Sequence, residues 1–188
     1  MIGFIKRNLV GTRILLLFIA TNLVYGFMLI VTIPKTMAFA DGMKLLDMMP
    51  MGYDSAYVID LMNKLGEDGR ETYLYYQIPV DFIYPFLFGL CYSLLLAYFI
   101  KRLQRLDTAL IYFCLLPILA GLADYLENFG IVYLLSTFPA LPDWAIKITN
   151  IFSVVKSAAT TGYFITLILV LIVLGVNFLI KVRNFKSN

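Results

Sequence analysis

At 188 residues, 61% apolar and only 14% charged, with a mean hydropathy of +0.85, the chain carries more apolar surface than a soluble domain of this size can bury. Its net charge of +3 has no basic, aromatic-interleaved patch behind it, which argues against a nucleic-acid partner. The complete lack of histidine removes haem, non-haem iron, histidine-bound zinc and every Ser-His or Cys-His mechanism. Phosphate-binding loops and dinucleotide-binding glycine motifs are also missing, so no cofactor or metal is expected.

In chain order, Lys6, Arg7 and Arg13 precede an apolar run over 14–33. Ala38-Phe39-Ala40 has the small-x-small form of a leader cleavage site. The run, however, exceeds the roughly 7–15 residues of a leader core, and it is read as a first span. The next 46 residues, 34–79, form a connection too long to be structureless. Asp54-Ser55 can start a helix that runs through Lys64 and stops at Gly66, with Tyr57, Val58, Leu61, Met62 and Leu65 on one apolar face. A second short helix is expected over 41–49, ended by Pro50 and Gly52, and 66–69 reads as a turn. The connection is therefore predicted to be a helical cap across one end of the bundle.

Further apolar runs follow at 80–100, 109–135 and 151–180, each near the roughly 20 residues that cross a bilayer as a helix. None alternates like a strand, so helices satisfy the backbone. The fold class is all-α: a single-domain, polytopic four-helix transmembrane bundle with a helical extracytoplasmic loop between spans 1 and 2. Cys91 and Cys114 fall inside spans and read as packing residues. Residues 181–188 read as a short solvated end. Nine of the 15 Lys and Arg residues flank one side in short segments, whereas the 34–79 loop holds four basic and seven acidic residues. The positive-inside rule then puts both termini in the cytoplasm.

Against this background four ionisable residues stand out: Asp81, Asp124, Glu127 and Lys156. Charges inside spans are costly and by default point to a functional site. Counted at about 1.5 Å per residue, Asp81 lies roughly 30 Å from Lys101, and Asp124 and Glu127 lie roughly 25–30 Å beyond Asp107. Lys156 lies somewhat further out, and its stem can reach back. All four thus converge on one depth. On the third helix Pro117, Ala120, Gly121, Asp124, Glu127 and Asn128 share a side. On the fourth Thr149, Ser153, Lys156, Thr160 and Tyr163 do so, on the second Asp81, Tyr84, Phe88 and Tyr92, and on the first Asn22, Tyr25 and Leu29. Three carboxyls facing one ammonium in a low-dielectric site cannot all be ionised without cost, so one is expected to hold a proton.

The segments Gln77-Ile-Pro-Val-Asp81-x-x-Tyr84-Pro85, Pro117…Gly121-x-x-Asp124-Tyr-x-Glu127-Asn128 and Phe152-Ser-x-x-Lys156 resemble an uncharacterised family of bacterial four-span integral membrane proteins. The likeness covers nearly the whole chain. It implies one site containing Asp81, Asp124, Glu127, Asn128 and Lys156, and a bacterial cytoplasmic (inner) membrane location, but no activity. The layout is also similar to that of the EXPERA group of sterol isomerases and sigma-2-type receptors, although those isomerases depend on a histidine that this chain lacks.

The residues point first to an outward-opening acidic pocket that binds, or helps to move, a small amphiphilic or lipid-like ligand. In it Asp124 and Glu127 would be anchors, Asp81 and Tyr84 the mouth, Asn128 a neighbour and Lys156 the counter-ion. Alternatives left open are a lipid-active acid–base enzyme, a proton-coupled transporter, and an ion pair that only fixes helix register. Membrane lipids or an amphiphile are the expected partners, with a second copy or another membrane protein left open.

Overall fold

Prolines set where the helices of this chain change pitch. In the computed structural model, which describes residues 1–186, a short helix α1 (Ile2–Arg7) leads into α2 (Gly11–Ala40). Pro34 has no N–H for the carbonyl of Ile30, and its ring crowds that carbonyl. There the helix widens into a π turn over Met28–Thr32. The same device recurs past α3 (Ser55–Thr72): Pro79 stands four residues beyond Tyr75, inside a π turn over Tyr73–Gln77. A single turn, Ile78–Asp81, and a break at Phe82 and Ile83 then lead to α4 (Tyr84–Arg102), with Pro85 near its start. A tight 3-10 stretch, Ala109–Leu115, precedes α5 (Leu116–Thr137), and α6 (Asp143–Lys186) closes the described chain.

Among the described residues, four helical stretches are long and apolar enough to cross a membrane: Gly11–Ala40, Ser55–Arg102, Ala109–Thr137 and Asp143–Asn184. No strand occurs among the described residues. The protein is thus an all-α, polytopic membrane bundle. α4 is its most enclosed member, packing on α2, α5 and α6, while α5 packs along both α4 and α6. Gly121 makes the α4–α5 contact possible, because a Cβ there would lie 2.7 Å from the Pro85 carbonyl oxygen. α2 and α6 keep large apolar side chains exposed, among them Leu16, Leu23, Ile30, Ile165, Leu169 and Ile172, as a lipid-facing surface requires.

Each helix runs beyond the limits 14–33, 80–100, 109–135 and 151–180 expected from hydropathy. α6 is 44 residues long, about 66 Å at 1.5 Å per residue. The expected solvated end therefore continues as helix through Lys186, while residues 187 and 188 lie outside the described residues.

The outer connection differs from expectation in two places. Asp54 does cap α3, accepting from Tyr57 N–H at 2.8 Å, and Val58, Leu61, Met62 and Leu65 are buried. But 66–69 is no turn: Gly66 alone (φ 63°, ψ −170°) kinks the chain, which resumes as helix to Thr72. Nor is 41–49 a helix. Asp41 is left-handed (φ 51°), Pro50 keeps Met49 out of the helical region (φ −105°, ψ 82°), and only the turn Leu46–Met48 remains. Residues 41–54 instead form an extended strap. Its Leu45 and Leu46 are fully buried in a second apolar cluster with Leu61, Ile131, Leu134 and Ile146. The strap is part of the core, not a cover laid over it.

Candidate functional site

Lys156, on α6, is the hub of the site. Its ammonium is 3.3 Å from Asp124 Oδ1, pairs closely with Glu127 Oε2, and donates at 3.2 Å to the main-chain carbonyl of Asp47. Asp124 and Glu127 share a face of α5, one helical turn apart, which is what lets one lysine reach both. Both are buried, Glu127 completely, and its Oε1 has no hydrogen-bond partner among the described residues.

Asp81 enters from the broken start of α4. Pro85 cannot donate to the carbonyl of Asp81, and Asn128 Nδ2 donates to it instead, at 3.3 Å. Beside it Tyr125 donates its hydroxyl to the Phe82 carbonyl at 2.9 Å. The proline break thus exposes two carbonyls, and α5 caps both. The Asp81 carboxyl is 3% exposed, and its Oδ2 has no partner among the described residues.

A cavity of about 390 Å³ lies against these groups. Asp81, Asp124 and Lys156 line its polar wall together with Asp47, Ser157, Thr160 and Thr161, and Met28, Ile33, Met48 and Phe88 line its apolar side. Tyr84 lines it too and stacks on Tyr25, with ring centroids 5.2 Å apart. Asp47, Met48 and Pro50 of the strap close its outer end. Besides Pro50 of the strap, the exposed lining residues are Tyr25, Leu29 and Thr161, on α2 and α6, which flank the gap without close packing between them. Its opening is therefore sideways, between those two helices.

Of the residues singled out in the sequence, Asp81, Tyr84, Asp124 and Lys156 line the cavity, and Glu127 and Asn128 stand behind it. The face expected on α2 is that of Asn22, Tyr25 and Leu29, and Asn22 accepts from the Tyr92 hydroxyl at 3.4 Å. Tyr25 and Leu29 reach the cavity but are 41% and 43% exposed, whereas Thr21, Met28, Thr32 and Thr36 are buried. Spacing thus brings Tyr25 and Leu29 to the cavity, whereas the buried Thr32 and Thr36, at and past the end of the π turn over Met28–Thr32, were not expected from it.

Asp47, Thr32, Tyr73 and Tyr53 were not singled out, and Gln77 only as the first residue of the motif that leads to Asp81. The Asp47 carboxylate accepts from Tyr73 at 2.6 Å and from Gln77 Nε2 at 3.3 Å, and Gln77 Oε1 in turn accepts from Thr32. Both π turns end on members of this chain of bonds, Thr32 and Gln77. That the prolines distort these turns was the one available signal, since π turns concentrate at functional sites. The strap is also clipped to α6: Ser153 donates to the Met49 carbonyl at 3.3 Å, and Asn150 accepts from Tyr53 N–H at 2.9 Å. Burial keeps the Tyr53 hydroxyl protonated above its ordinary range, and the neighbouring Glu127 carboxylate adds to this.

Among the described residues no group of three or more acidic, cysteine or histidine side chains is arranged to hold a metal ion. Comparison with protein-family models, with curated proteins and with solved structures gives no match. Fold and site together define a class: a four-span helical membrane protein with a buried lysine–carboxylate cluster beside a lateral cavity.

Proposed function

We propose that this protein binds, or helps to move, a small amphiphilic or lipid-like molecule in the acidic cavity between α2, α4, α5 and α6. The observation that carries the reading is the juxtaposition of one mostly apolar cavity of about 390 Å³ with Asp81, Asp124 and Lys156 at its wall. A ligand pocket of this size class, largely apolar with a few convergent polar groups, is what a molecule with a tail and a head requires. Asp124 and Glu127 hold Lys156 in place, Asp81 and Tyr84 face the ligand, and the gap between α2 and α6 admits it from the lipid. A register-fixing ion pair alone accounts for Lys156 and Glu127 but gives no reason for a cavity at their edge.

The same proposal places both termini at the cytoplasmic face of a bacterial inner membrane, because the short basic segments around Lys6, Lys101 and Lys181 lie on that side. It also keeps the likeness to four-span membrane proteins bearing the Asp-Tyr-x-Glu-Asn motif. Native mass spectrometry of the wild type and Asp124→Asn, each released from a non-ionic detergent, tests the reading. A co-purified amphiphile in the wild type that is depleted in the folded variant is the expected result. Bare protein in both cases, from several host membranes, would leave only the structural ion pair.

A further inference from the structure

Charge and donor inventory narrow the ligand further. Lys156 has three ammonium hydrogens, and three acceptors surround it: Asp124 Oδ1, Glu127 Oε2 and the Asp47 carbonyl. No ammonium hydrogen is left over for an anionic head. The Asp47 carboxylate is likewise committed, to Tyr73 and Gln77. Asp81 is different: it lines the cavity, is 3% exposed, and its Oδ2 has no partner among the described residues. A buried acceptor of this kind costs free energy until a donor reaches it.

Four carboxyls, of Asp47, Asp81, Asp124 and Glu127, gather around the single ammonium of Lys156. One further positive charge beside Asp81 would reduce that imbalance. The wall next to Asp81 is aromatic, with Tyr84 stacked on Tyr25 and in contact with Phe88 at a centroid distance of 5.7 Å. Ring faces in a desolvated site attract ammonium groups. Elsewhere in the lining, Met28, Leu29, Ile33 and Met48 offer only apolar or thioether surface for a tail.

We infer that the head group received by this pocket is a cation, an amine or quaternary ammonium on an apolar chain, with Asp81 as its counter-ion. This rests on the pocket reading above. An anionic head, whether carboxylate, sulfate or bare phosphate, would meet Asp81 and Asp124 with only the neutral hydroxyls of Tyr84, Ser157, Thr160 and Thr161, and no free cation, to offset them. A primary ammonium could belong to a single-chain amine or to a phospholipid head.

The test uses the full-length protein in a non-ionic detergent, titrated with dodecylamine, dodecanol, dodecanoate and lysophosphatidylethanolamine and read by native mass spectrometry. Dodecylamine is expected to bind at least tenfold more tightly than dodecanol, and dodecanoate more weakly than either. In Asp81→Asn, checked for folding by thermal unfolding, the preference for amine over alcohol should fall to near unity while dodecanol binding persists. Thr160→Phe, which fills the cavity, should weaken all probes together. Lysophosphatidylethanolamine binding as well as dodecylamine would assign the ammonium to a phospholipid head, and weaker binding would assign it to a phosphate-free amine. Equal affinity for amine and alcohol, or a preference for dodecanoate, overturns the cationic head but leaves the pocket. Probe binding that Thr160→Phe does not touch overturns both.

Discussion

Asn128 on α5 donates its side-chain amide to the main-chain carbonyl of Asp81 across 3.3 Å, and it can do so because the residue four positions on from Asp81 is Pro85. One imino acid thus opens the helix start that carries Asp81, and one amide on the neighbouring helix closes it. Helix α4 is tied to α5 at the point where the site begins.

This tie is expected to be measurable. Asn128→Ala leaves a buried carbonyl unpaired, which costs about 1–3 kcal/mol. Pro85→Ala restores an N–H to the helix, so the double variant should be more stable than the sum of the two single losses. Cys91 and Cys114 are both buried and free, so a thiol-reactive fluorophore reports unfolding directly.

Lys156→Met should be among the most destabilising single changes in the chain. It strands the buried carboxylates of Glu127 and Asp124, a loss of about 3–5 kcal/mol for a broken buried pair. Adding Glu127→Gln should recover part of that loss, because the remaining buried group is then neutral. A double variant no more stable than Lys156→Met would show that Glu127 is not its main partner. The same thiol assay decides it.

The helix contact predicts a contrast between two glycines. Gly121→Ala places a Cβ 2.7 Å from the backbone oxygen of Pro85, which cannot move aside without separating α4 from α5. A Cβ at Gly89 meets its nearest atom at 3.4 Å, an ordinary contact. Gly121→Ala should therefore lower the unfolding temperature by several degrees, and Gly89→Ala should leave it near wild type.

The strap should loosen when its clips are cut. Asn150→Ala and Ser153→Ala each remove one anchor of residues 41–54, and Gly52→Ala forces a Cβ toward Asn150 at a positive φ of 83°. Trypsin cleavage after Lys44, followed by gel electrophoresis in intact proteoliposomes, should accelerate in all three relative to wild type. Unchanged cleavage would place the strap's anchoring in its buried Leu45 and Leu46 alone.

The single tryptophan gives a depth marker. Trp144 opens α6, is 59% exposed and rests against Tyr133 at 5.7 Å. Aromatic residues at helix ends settle at the membrane–water interface. Its fluorescence should be quenched more strongly by lipids brominated near the head group than by those brominated near the chain end.

The class of this protein and the charges that lie within its spans were legible because they rest on local quantities. Hydropathy over about 20 residues decides what enters a bilayer, and regular helical spacing along α5 puts Asp124, Glu127 and Asn128 on one side. Where the helices stay regular, counting succeeds. It holds on α2 as well, where Tyr25 and Leu29 line the cavity, but spacing does not reveal that the π turn near Pro34 ends on the buried Thr32.

What only the tertiary structure decided is the part built from distant segments. Asp47 lies 109 positions from Lys156, on a strap that hydropathy reads as an outer cap. No local pattern says that its carbonyl will meet that ammonium or its carboxylate Tyr73 and Gln77. The sideways mouth of the cavity arises in the same way, because α2 and α6 each pack on other helices and leave a gap between them. Charge inside a span is a property of the chain, but the absence of a partner for Asp81 Oδ2 is a property of the packing.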